Sequence, residues 1–200
     1  MIIIEGTVGV GKSTLQKKIC EKIDKSYMLV QDFEHNICLK DFYDGYSCIL
    51  QKQMIFLFSD YHILSTALKK YPEKIIVSDY SLERSAIMAK NYLTDYEYKN
   101  LFLPCYNYLM DQIHIPRKML IMLYASPEYI KENIKKRNRT MEQEIQLQYI
   151  RDKQELLMKG MLRCSFEKVI SINCEHEDIL NKDIIERLLE EIKSFENVIK

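Results

Sequence analysis

Glycine is scarce, with five in 200 residues. Three of the five fall between Gly6 and Gly11, so the backbone has a special task there and almost nowhere else. Excess charge is absent: 29 Lys and Arg balance 29 Asp and Glu. That balance gives no support for nucleic-acid binding through a basic surface. The six cysteines, at 20, 38, 48, 105, 164 and 174, form no C-x-x-C pair and no Cys/His cluster with zinc spacing. They read as reduced thiols of a cytoplasmic protein. Long apolar runs are missing too. Met1-Ile2-Ile3-Ile4-Glu5 is too short for a signal peptide, and no segment approaches the ~20 apolar residues of a membrane helix. No internal repeat, low-complexity stretch or linker interrupts the chain, so residues 1–200 read as one domain.

What is present is an alternation of strands and helices. Strands are expected at 2–5, 27–30, 74–77, 119–124 and 168–172. Helices are expected at 13–23, 54–68, 82–92, 96–112, 144–162 and 179–195, with another opening at Ser126-Pro127. Short apolar strands separated by helices predict an α/β fold: a five-stranded parallel sheet with helices on both faces. Ligands of such a sheet bind beyond the carboxyl ends of its strands.

Gly6-Thr7-Val8-Gly9-Val10-Gly11-Lys12-Ser13 fits G-x-x-x-x-G-K-[ST], between a strand and a helix, and Thr14 follows it. Glycines there let backbone N–H groups turn inward around phosphate oxygens, and the helix N-terminus adds its positive end. Lys12 is expected to reach the β- and γ-phosphates of ATP, and the Ser13 hydroxyl to bind Mg²⁺. Asp79 ends an apolar strand and is the candidate second group on the metal side. The alternative for Asp79 is a strand-end residue or helix cap. No N-K-x-D and no D-x-x-G segment is present, which excludes a GTPase. A small-molecule or nucleotide kinase remains, and it needs arginines that close over the transferring group. Arg137 and Arg139 lie one residue apart at a helix end, and their planar forks suit phosphate oxygens. A basic helix C-terminus is the plainer reading of Lys135 and Lys136.

The stretch Glu5 to Thr14 resembles the opening of the deoxynucleoside kinase family. Leu123-Tyr124-Ala125-Ser126-Pro127-Glu128 and Ile134-Lys135-Lys136-Arg137-Asn138-Arg139, followed by Glu142, are similar to that family's fourth strand, helix and lid. Asn36, Leu39, Phe42-Tyr43 and Gln53 fall near its substrate-pocket spacing, and Asp79-Tyr80-Ser81-Leu82 resembles its segment after strand three. The likeness runs to about residue 155.

The resemblance implies a P-loop kinase fold with an arginine-bearing lid at about 137–144. It implies transfer of the ATP γ-phosphate to the 5′-hydroxyl of a deoxynucleoside, for nucleotide salvage, by a homodimer that uses neither nucleic acid nor membrane. Gln53 matches the base-reading glutamine, Tyr43 and Glu142 the pair on the sugar 3′-hydroxyl, and Asp79 the acid beside Mg²⁺. Met54, Phe56 and Phe58 are possible apolar walls for the base, with core packing the plainer alternative. Two positions depart from the pattern. Gln31 stands where the family carries its general base, and Gln cannot take a proton at neutral pH. Asp32 is the first substitute and Glu34 the second. Tyr80 stands where the family has an arginine, and Arg84, one helical turn on, is the candidate replacement. Asp60, seven residues after Gln53, is a candidate charge partner of Arg84 near the base. Two other readings compete: a thymidylate-type monophosphate kinase, and a nucleotide-binding protein whose catalysis is impaired.

Overall fold

The computed structural model describes residues 1–31, 48–115, 117–139, 142 and 144–197. Its sheet contains β1 (Ile2–Glu5), β2 (Ser26–Leu29), β3 (Ile75–Ser78), β4 (Met119–Tyr124) and β5 (Lys168–Asn173). All pairings are parallel, in the order β2-β3-β1-β4-β5. The helices are α1 (Lys12–Lys22), α2 (Ile49–Lys70), α3 (Leu82–Tyr92), α4 (Asp95–Glu97), α5 (Leu103–Asp111), α6 (Pro127–Arg137), α7 (Leu147–Met161) and α8 (Lys182–Asn197). The expected five-stranded parallel α/β sheet is therefore present.

The central strands β1 and β4 are covered on both faces, which is why they read as apolar runs, whereas Met28 of β2 and Val169 of β5 are exposed at the outer strands. Ile2 and Ile4 of β1, with Met119, Ile121 and Leu123 of β4, pack against Leu15 and Ile19 of α1 and Leu188 of α8. The alternate residues Ile3, Leu120 and Met122 face Leu157 and Met161 of α7. Leu29 and Ile76 pack on α2 and α3 in a second core. Gln16 is the buried exception on α1. Its amide donates to the carbonyls of Leu29 (2.7 Å) and Val77 (2.9 Å), tying α1 to the ends of β2 and β3.

Four helices depart from expectation, α8 among them by opening at Lys182 rather than 179. α2 begins at Ile49 rather than 54: the Cys48 sulfur accepts from the Gln51 N–H, and Gln51-Lys52-Gln53, good helix formers, lack the apolar period that marks a helix in sequence. The span expected as one helix over 96–112 starts with a capping box of Thr94 and Glu97 and passes through a π-helical turn, Tyr98–Phe102, before α5. Pro104 lies in the first turn of α5, where its missing N–H is tolerated. α7 opens at Leu147, three residues later than expected.

Candidate active site

The register of the sheet places the site. Ile2 and Ile3 pair with Val77 and Ser78, so the Glu5–Gly6 end of β1 comes out beside Asp79–Tyr80. On the other side Glu5 pairs with Met122. The loop leaving β1 turns on three glycines with positive φ: Gly6 (152°), Gly9 (81°) and Gly11 (109°). A Cβ would stand 2.5 Å from the Leu123 carbonyl oxygen at Gly6 and 2.6 Å from Ile134 at Gly9. The glycines therefore serve both conformation and fit. Lys12 donates to the Thr7 carbonyl (2.9 Å), which curls its side chain back over the loop. Burial lowers the Lys12 pKa to about 8, and the nearby Arg84 pushes the same way. Glu5, Asp79 and Glu142 oppose them.

Ser13 Oγ donates to Asp79 Oδ2 across 66 residues of chain. The two groups assigned to Mg²⁺ are thus in contact. This donor set fits the ion: Mg²⁺ at phosphates takes one or two protein oxygens and keeps waters, so a cage is not needed. Among the described residues no group of three His, Cys, Asp or Glu could hold a metal by itself.

Behind the loop lies a group that the motif reading passed over. Glu5, the last residue of β1, is fully buried. Its carboxylate accepts from Ser81 Oγ (3.0 Å) and from Arg84 (3.0 Å), and Arg84 also donates to the Gly6 carbonyl (3.4 Å). Burial raises the Glu5 pKa, and Arg84 and then Lys12 pull it back. An acid closing an otherwise apolar strand was the available signal. Tyr80 turns into the core of α2 and α3, and its hydroxyl has no hydrogen-bond partner among the described residues. Arg84 is thus the arginine that this segment brings to the phosphate loop.

The wall carried by α2 is polar where a helix core should be apolar. Gln53, Leu57 and Asp60 are buried at i, i+4 and i+7, so both polar groups face inward, two turns apart. Asp60 accepts from Gln31 Nε2 and from Ser85 Oγ (3.1 Å). Burial raises its pKa to about 7, against the Gln31 and Ser85 hydrogen bonds and a weaker pull from Arg84. The expected Asp60–Arg84 pairing is therefore secondary: Arg84 takes Glu5, and Asp60 takes neutral donors. Gln31 is held against Asp60. Phe58 is exposed, whereas Met54 packs on the second core.

The lid candidates meet at one carboxylate. Arg137 ends α6, and Asn138 follows in the left-handed conformation that stops the helix. Glu142 Oε1 lies 3.6 Å from both Arg137 and Arg139. Its other oxygen is buried without a hydrogen-bond partner among the described residues. Asp32, Glu34, Asn36, Leu39, Phe42 and Tyr43 lie outside the described residues.

The sequence model of one family, described as deoxynucleoside kinase, matches residues 2–197. The chain belongs to the deoxynucleoside kinase family. It is accordingly a phosphotransferase of that family. Among curated proteins, none matches the chain. Solved structures of deoxyadenosine kinase from M. mycoides share its fold. The form with bound dCTP aligns with TM-score 0.71 at 23% identity, covering 97% of this chain and 100% of that one. The form with dCMP and a flexible dCDP aligns at 0.76 and 22%, with the same coverage. The form with dATP aligns at 0.70 and 22%, covering 96% and 100%.

Proposed function

We propose that this deoxynucleoside kinase moves the γ-phosphate of ATP to the 5′-hydroxyl of a deoxynucleoside at the site around Lys12, with the chain acting as a single domain. The contact between Ser13 and Asp79 carries the reading, because it joins the phosphate loop to the acid of a neighbouring strand. Positioning and charge stabilisation dominate phosphoryl transfer, so the residues divide by what they hold. The backbone from Gly6 to Thr14 cradles the donor phosphates. Lys12 neutralises the bridging and γ-phosphate oxygens, leaving the Thr7 carbonyl to do so. Ser13 and Asp79 would hold Mg²⁺, which when bound would supply charge neutralisation for the phosphates. Arg137 and Arg139 exchange Glu142 for phosphate oxygens as a lid over 137–144, and Arg84 supplies a third guanidinium from behind.

On the acceptor side, Gln53 and Gln31 line the pocket, with Gln53 reading the base through its amide. Tyr43 and Glu142 hold the sugar. Asp32, or else Glu34, receives the 5′-hydroxyl proton, a task worth about 10²–10⁴-fold. We further read the chain as a cytoplasmic homodimer working in nucleotide salvage. The free thiols of the described cysteines support the compartment. Among the described residues no helix is long and apolar enough to cross a membrane.

The deciding assay follows ADP release from ATP and Mg²⁺ with each of the four deoxynucleosides and with dTMP. Lys12→Met serves as the blank. Turnover with a deoxynucleoside, lost at least about 10³-fold in the variant, is expected from removal of the phosphate-facing cation. Turnover with dTMP alone would make the protein a monophosphate kinase. ATP binding without turnover would make it a nucleotide-binding protein. Asp32→Asn and Glu34→Gln, run beside it, identify the proton acceptor.

A further inference from the structure

We propose that Glu5 is a positioning residue of this kinase: its buried carboxylate anchors the Arg84 guanidinium against the phosphate loop. The inference rests on the kinase reading above. β1 is buried at every position, so an acid at its end is costly unless paired with good geometry. Here the pairing is complete. One Glu5 oxygen accepts from Ser81 Oγ and the other from Arg84, each at 3.0 Å. Ser81 is also the N-cap of α3, and its Oγ accepts the backbone N–H of Arg84 (3.1 Å). Glu5, Ser81 and Arg84 thus close a ring that grips Arg84 at both ends, by its N–H and by its guanidinium.

The consequence falls on the loop. The guanidinium nitrogen on Glu5 also reaches the Gly6 carbonyl, the first residue of the phosphate loop. The Arg84 side chain keeps 29% of its surface exposed, so the fork is seated without being sealed. Lys12 feels that positive charge more than any other charge around it. Two cations are thereby concentrated at one end of the loop. Lys12 is placed there by the P-loop itself, and Arg84 by Glu5.

A double-mutant cycle tests this on the full chain with its best deoxynucleoside. Glu5→Gln keeps the shape and removes the charge. We expect kcat to fall about 10–100-fold, with nucleoside KM within about threefold of wild type. In an Arg84→Met background the same change is expected to cost less than about twofold, since residues acting through one another are not additive. Equal losses with and without Arg84, or no loss at all, would overturn the proposal, because a merely structural carboxylate acts independently of the arginine. Glu5→Asp keeps the charge and draws it back by one methylene. It goes through the same cycle, and it decides the matter if Glu5→Gln does not fold. If the wild type phosphorylates nothing, the kinase reading fails. The positioning role is then judged on Mg²⁺–ATP affinity by calorimetry, with about 3–10-fold weaker binding expected only where Arg84 is present and equal affinity counting against it.

Discussion

The phosphate loop and the lid candidates both hold cations against carboxylates, but in opposite ways. At the loop, Glu5 is wholly buried and its two oxygens have partners at 3.0 Å. At the lid, Glu142 meets Arg137 and Arg139 at 3.6 Å each, and those side chains are 37% and 56% exposed. Contacts of the second kind contribute little to stability, because water screens them and the long side chains lose entropy in making them. Weak pairing is useful in a residue that must change partners during each turnover. On the reading proposed here, the molecule separates a preformed cradle for the donor from closing groups that are loosely paired.

The largest effect that bears on this contrast tests the proposed closing groups. Arg137→Ala and Arg139→Ala should each lower kcat about 10²–10³-fold, as loss of an arginine stabilising a transferring phosphoryl group does, while leaving the unfolding midpoint nearly unchanged. Steady-state kinetics beside urea denaturation checks both halves of the statement. A variant that lost stability in step with rate would show that the ion pairs at Glu142 are structural and would erase the contrast.

How far this division was legible in sequence follows the same line. The loop is legible as a motif between a strand and a helix, because glycine spacing, a lysine and a hydroxyl are local, and the strand before it and helix after it are local as well. Asp79 was legible as an acid ending an apolar strand, and the structure brings Ser13 onto it. Glu5 carried the same mark, yet its role depends on Ser81 and Arg84, more than 75 residues away, and no spacing rule connects them. Asp60 was suspected as a partner of Arg84. The competition was settled instead by sheet register, which sets the end of β1 beside the start of α3 and gives Arg84 to Glu5. Gln53 and Asp60 are legible as candidates from their spacing, and their burial on one face of α2 is what the sequence does not show, since buried positions that refuse apolar residues have a reason to do so.

The preformed half is itself uneven, and the next effect exploits that. Asp60 is as enclosed as a core residue, yet it faces Gln31 and Ser85 rather than a bound cation. Its pKa rises from 3.8 to about 7, so the folded chain keeps the proton after the unfolded chain has lost it. The stability it contributes is therefore present at low pH and is lost as pH rises between those values. From pH 4 to 8, wild type should lose on the order of 3–4 kcal/mol relative to Asp60→Asn. Urea denaturation across that range reads the difference. Parallel curves would mean that Asp60 is ionised in the folded state at low pH and belongs with Glu5 as a paired acid.

The smallest effect asks whether the two halves are mechanically independent. α6 carries Arg137 at its end and is seated at its start by Ser126, whose Oγ accepts the Tyr129 N–H (3.2 Å) ahead of Pro127. Ser126→Ala removes one cap and should cost about 1 kcal/mol of stability. The arginine lies eleven helical residues away, about 16 Å along the axis, and Ile130 and Ile134 remain buried between them. Ile134 also sits against Gly9, so the middle of α6 is fixed to the phosphate loop whatever happens at its N-terminus. We therefore expect kcat to stay within about twofold of wild type while the urea midpoint falls. A fall in kcat of more than about tenfold at unchanged nucleoside KM would mean that slack at the cap travels the length of α6. The placement of the lid arginines would then depend on the seat of the helix rather than on their own weak pairing with Glu142.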